Sequence, residues 1–256
     1  MTSTTPSIPT RTGAPTAGSV IGPGPDGPSA MTARSDRRRV VPFGSTFAAT
    51  TLVVGAVANT AQAVMTQVLG GRPETIDEQV ALAADSPALV TAMSVTGTIA
   101  IPFMALGFVA AAHLLARRVP RTGRLAGTLL VLGMWGFLAI QLTGLVQIRA
   151  LLDGEAGLAA ATWLGDLRSD TLLGVLFALP FMVGTVLGML VLTVGLLVVR
   201  GIAVPRWIPG AWLVFIVLDF TVGAVGPVDP HWLYLLGAAG LAHHVVREGG
   251  RAWRNA

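Results

Sequence analysis

Residues 171–199 read TLLGVLFALPFMVGTVLGMLVLTVGLLVV, without one charged side chain. A helix rises about 1.5 Å per residue, so roughly 20 residues cross a ~30 Å hydrocarbon core. This run exceeds that length and can tilt. Five further apolar stretches accompany it, giving segments at about 43–68, 88–116, 125–149, 171–199, 207–227 and 231–247. The last is short, which suits a thinned bilayer or a start at the interface. The expected fold class is therefore all-α, a polytopic membrane bundle of six helices. Composition agrees: 53% of the 256 residues are hydrophobic and 12% are charged, against about 25% charged in soluble domains.

The loops between these segments alternate in charge. Arg37, Arg38 and Arg39 precede the first segment. Glu74, Asp77, Glu78 and Asp85 follow it against a single Arg72. Arg117, Arg118, Arg121 and Arg124 come next, then Asp153, Glu155, Asp166 and Asp170 against Arg149 and Arg168. Arg200 and Arg206 flank the fourth connection, Asp229 marks the fifth, and Arg247, Arg251 and Arg254 end the chain. Basic turns at alternate ends are the positive-inside pattern, which puts both termini in the cytoplasm of a cell-membrane protein. The formal charge of +4 thus sets orientation and does not form a nucleic-acid surface. All 17 basic residues are Arg, as the codon bias of a GC-rich genome also produces.

Residues 1–40 are rich in Pro, Gly, Ser and Thr and read as a disordered cytoplasmic tail; residues 249–256 form a second tail, and 41–248 the membrane domain. One alternative concerns the first segment. RRR, an apolar run and Ala61-Gln62-Ala63 resemble a signal peptide with its cleavage site, which would leave five helices. Between the segments, residues 74–84 and 156–166 suit short surface helices. Ser86-Pro87 suits a helix start. Trp163, Trp207, Trp232 and Tyr234 suit an interfacial belt.

Within WLVFIVLDFTVG, residues 212–223, one carboxylate stands among apolar residues. Asp219 lies about 20 Å along its helix from Arg206, in the outer half of the bilayer. A charge there costs about 2.5–3.5 kcal/mol on insertion scales, so the group must be paired, protonated or wet. Its candidate partners fall at the same depth. Asn59, Gln62 and Thr66 share one stripe of the first helix. Thr91, Ser94 and Thr98 share one of the second, and Gln141 lies about 25 Å into the third. Gly223 and Gly226 would share the Asp219 face and admit a neighbouring backbone. Gly184 and Gly188 form a GxxxG, a packing seam within the bundle or between copies. Pro102 and Pro180 would bend their helices and free a carbonyl.

His113 and His243 lie four residues before Arg117 and Arg247, at matching depth within a repeated Leu-Gly, Ala-His, Arg spacing. Two imidazoles there would suit a haem or metal, although interfacial histidines beside arginine need neither. No metal site or cofactor is assigned. With no Cys, disulfides, thiolate metal sites and c-type haem attachment are excluded. HExxH, GxSxG, P-loop and EF-hand patterns are absent, which points away from an enzyme.

Two stretches, RRVPRTGRLAGTLLVLG and RGIAVPRWIPGAWLVFIV, lead from a basic VPR turn into a glycine-containing apolar helix. With the loop ETIDEQVALAADSPALVTA they resemble small multi-pass actinobacterial proteins of domain-of-unknown-function families, over about 41–248. The resemblance implies a membrane bundle and carries over no functional residue. Three roles remain open. One is a non-catalytic membrane protein with lipid, a second copy or another membrane protein as partner. The others are a proton-coupled carrier of a small solute using Asp219, and a haem- or metal-binding redox protein.

Overall fold

The computed structural model describes residues 44–71, 73, 75–202, 204–223 and 229–247. The tails expected at 1–40 and 249–256 lie outside these residues, as does Gly226. The described residues are all-helical, with no strand among them. The helices are α1 (Ser45–Val68), α2 (Ile76–Asp85), α3 (Pro87–Ala116) and α4 (Pro120–Leu151), then α5 (Glu155–Ser169), α6 (Thr171–Val198), α7 (Trp207–Thr221) and α8 (His231–Arg247). Of these, α1, α3, α4 and α6 are long and apolar enough to cross a membrane. With 15 and 17 residues, α7 and α8 reach only about 22 and 26 Å.

Six helices form a closed ring. Each of α1, α3, α4, α6, α7 and α8 packs on the next in that order, and α8 returns to α1. Neighbours run antiparallel, so the ends differ in charge. Arg117, Arg118, Arg121, Arg124, Arg200, Arg206 and Arg247 collect at one end; Asp77, Glu78, Asp85, Asp153, Glu155, Asp166 and Asp170 collect at the other. Arg149, a basic residue at the acidic end, pairs with Asp153 at 2.8 Å.

Small residues close the ring. A Cβ on Gly184 would lie 2.6 Å from the Leu129 carbonyl oxygen and 2.7 Å from Gly133 N, and one on Gly188 would lie 2.8 Å from Leu130 Cγ. The GxxxG pair therefore faces α4 of the same chain, and a seam between copies is not needed to account for it. In the arginine half, Ala110, Ala111, Leu115, Ala126, Leu192 and Leu241 are fully buried.

Three segments depart from expectation. Helix α4 begins at Pro120, taking Arg121 and Arg124 into its first turns; Pro suits the first helical position, and long arginines carry their charge out to water. Helix α6 contains a π-helical turn, Gly174–Ala178, directly before Pro180. Proline has no N–H to offer the carbonyl one turn back, and the wider turn absorbs that loss. Helix α7 stops at Thr221, well short of 227, because Gly223 takes the left-handed conformation (φ +68°) that commonly ends helices. The face expected to carry Gly223 at a close contact does not continue that far. A Cβ there would meet nothing within 4 Å.

Candidate ligand-binding cavity

At the acidic end the ring does not fill. A cavity of about 780 Å³ runs inward from there, with walls from all six ring helices. Its inner limit is made by Met104, Phe108, Met134, Met189, Ile216 and Tyr234. Its mouth is made by Leu69, Gly71 and Pro73 and by Gln79 and Leu82 of α2. Helix α2 is started by a capping box: Thr75 Oγ1 accepts from Glu78 N, and the Glu78 carboxylate accepts from Thr75 N. It leans on α3 and α4, with Ala83, Leu151 of α4 and Ala161 of α5 forming a small apolar cluster beside the mouth.

Asp219 sits on this wall in the last turn of α7, and its side chain keeps 28% of its exposure. It is thus not embedded mid-helix. A carboxylate at a helix C-terminus meets the negative end of the dipole, at a cost of about 0.3–1 kcal/mol. The ring nitrogen His231 Nδ1 stands 3.8 Å from its Oδ1. The same nitrogen lies 2.7 Å from Asp229 Oδ1, and with Nδ1 protonated it donates there. Asp229 is only 5% exposed. Its Oδ1 also accepts the His231 backbone N–H at 2.8 Å, and its Oδ2 accepts from Gln67 Nε2 at 2.7 Å. Thr60 Oγ1 donates to the His231 carbonyl at 3.1 Å. One buried carboxylate therefore starts α8, orients an imidazole and ties α8 to α1.

Asn59, Gln62, Ser94 and Gln141 line the same cavity as Asp219. Gln62 lies across Gly97 of α3, where any Cβ would strike its amide. Thr66 also lines the wall, with its hydroxyl donating to the Gln62 carbonyl at 3.0 Å. Two expected members are turned elsewhere. Thr98 donates to the Ser94 carbonyl of its own helix at 2.8 Å and is not on the wall; Thr91 is exposed and donates to the Pro87 carbonyl at 2.7 Å. In both, the hydroxyl satisfies itself on the preceding helical turn.

His113 and His243 do not share a surface. His113 Nε2 is buried, whereas His243 is exposed. Ala61-Gln62-Ala63 lies within the uninterrupted α1. Tyr234, expected in an interfacial belt with the exposed Trp232, is instead buried, stacked on Trp212 with ring centroids 6.2 Å apart. Asp229, His231 and Gln67 are the site residues that sequence reasoning missed. Asp229-Pro230-His231 carries the signal: an acidic N-cap followed by proline, the same pattern read at Ser86-Pro87. At Ser86 itself the helix does begin at Pro87, but the serine side chain makes no capping bond.

The class that fold and site define is an all-helical bundle with membrane-length apolar helices and a mainly apolar cavity edged by a few polar side chains. No family model, curated protein or solved structure matches this chain.

Proposed function

We propose that this chain is a six-span integral protein of the cell membrane that holds a small solute in a cavity facing outward. Both termini lie in the cytoplasm, and the lipid bilayer is the partner of its exposed apolar faces. The observation that carries the reading is the cavity of about 780 Å³, within the roughly 300–1,000 Å³ of small-molecule sites. Its wall is mainly apolar with a few convergent polar groups, Asp219, Asn59, Gln62 and Gln141 among them. Orientation is supported by the arginines gathered at the opposite end. The two short helices fit by local thinning of the bilayer, which costs fractions of a kcal/mol per Å of mismatch.

The chain has no cysteine, which makes the test direct. Single cysteines at Ser94, Gln141 and Asp219 are exposed to a membrane-impermeant maleimide on intact cells. Labelling from outside is expected at all three. Labelling only in inside-out vesicles, or on neither side, overturns the reading.

A second reading, a proton-linked carrier, is favoured by the grouping of three titratable side chains, Asp219, His231 and Asp229, on one wall of the cavity. It predicts that Asp219→Asn abolishes proton-coupled flux at normal membrane abundance. A loss of abundance in Asp219→Leu alone, with flux intact in Asn, assigns Asp219 to packing.

A further inference from the structure

The cavity wall also selects the sign of charge of what it holds, an inference that rests on the solute-holding reading above. Among the described residues lining the cavity there are two carboxylates, Asp219 and Asp229, one imidazole, His231, and no arginine. The formal charge of that wall is negative whichever charge His231 carries. Asp219 keeps 28% of its exposure, whereas Asp229 is 5% exposed and held by His231 and Gln67, so an occupant meets Asp219 directly and Asp229 behind the imidazole. In a partly desolvated site these carboxylates repel an anion and favour a cation.

The rest of the wall points the same way. Phe108, Phe137, Phe181, Phe215, Phe220 and Tyr234 present aromatic rings to the cavity. Phe137 and Phe181 are stacked with centroids 4.6 Å apart; Phe215 meets the His231 ring edge-on at 5.4 Å, directly beside the carboxylates. Aromatic faces attract cations, more strongly as water is excluded. Met93, Met104, Met134, Met182 and Met189 supply flexible thioethers that reshape around varied apolar bodies. We propose that the occupant is an organic monocation with an apolar body, its charged centre beside Asp219 and its apolar part against the methionine and phenylalanine floor.

The experiment compares two ions of near-equal size and opposite charge, tetraphenylphosphonium and tetraphenylborate. Each is bound to the full-length protein in nanodiscs, with binding to empty nanodiscs subtracted. Wild-type protein retains the phosphonium, and Asp219→Asn weakens it by about tenfold, worth about 1.4 kcal/mol, while leaving the borate unchanged or tighter. Asp85→Asn, an exposed acid away from the wall, changes neither. Because Asp229 also starts α8, Asp229→Asn is read only in the fraction that elutes as a single folded species, where it weakens the phosphonium likewise. If both ions bind alike and the aspartate variants leave the phosphonium untouched, the cation assignment is overturned and a solute cavity without charge preference stands. If neither ion binds, yet cysteines at Ser94 and Gln141 react from outside, the cation assignment falls again. If those cysteines are also unreactive, the cavity reading falls with it.

Discussion

The two ends of this bundle are built from similar apolar sequence and do opposite things with it. At the arginine end, alanine, leucine and glycine interdigitate until Ala110, Ala111, Leu115, Leu192 and Leu241 have no appreciable exposure. At the acidic end, methionine and phenylalanine stand around a space of about 780 Å³, and glutamines, a histidine and two aspartates edge it. Small residues let backbones approach; large flexible ones spaced around a ring hold them apart. Overall hydrophobicity does not distinguish a sealed half from an open one. Residue size at facing positions does.

The contrast is sharpest at Trp212, where the sealed half ends. It is fully buried, donates from Nε1 to the Tyr234 carbonyl at 3.1 Å and meets the Phe108 ring edge-on. Trp212→Ala is expected to cost about 3–5 kcal/mol, read as a lowered thermal midpoint of the detergent-solubilised protein. Met182→Ala, on the cavity wall and half exposed, is expected to stay within about 0.5 kcal/mol. Equal losses at the two sites would break the distinction between the halves. Next in size is Gly184→Ala. Its Cβ would strike the backbone of Leu129 and Gly133, an overpacking cost of about 1–3 kcal/mol by the same measurement. The equivalent change at Gly223 meets no atom, so its effect comes only from the left-handed backbone.

Within the open half, two aspartates separate by role. Asp229→Ala removes the cap of α8 and the partner of Gln67, at an expected cost of about 0.5–2 kcal/mol in chemical unfolding. Asp219→Asn is the smaller effect of the two, within about 0.6 kcal/mol, because an amide keeps hydrogen-bonding capacity at a partly exposed helix end. A larger stability loss at Asp219 than at Asp229 would reverse their assignment.

Much of the architecture was legible in the chain. Apolar length and alternating loop charge identify an all-helical bundle, and Ser86-Pro87 marks where α3 begins. The end of α7 was not legible, because a glycine after an apolar run reads equally as a packing notch or as a helix stop, and only the backbone turn at Gly223 decides. The candidate site was legible in half. Asn59, Gln62, Ser94, Gln141 and Asp219 share a depth and line one cavity. Depth alone does not say which way a hydroxyl turns, and Thr98 turned onto its own helix. His231 stands at the first position of the last apolar segment, where the sequence pairs it with nothing. Its chemistry depends on a ring closure that brings residues 67 and 229 together.

That closure bears on how the protein is made. Helix α1 leaves the ribosome first and α8 last, and the two meet side by side through Gln67, Thr60, Asp229 and His231. Until α8 arrives, the ring is open on one side, and Gln67 lacks the carboxylate to which it donates in the finished structure. Truncation before His231 is expected to leave that side open, so the wall depends on the seating of α8 against α1.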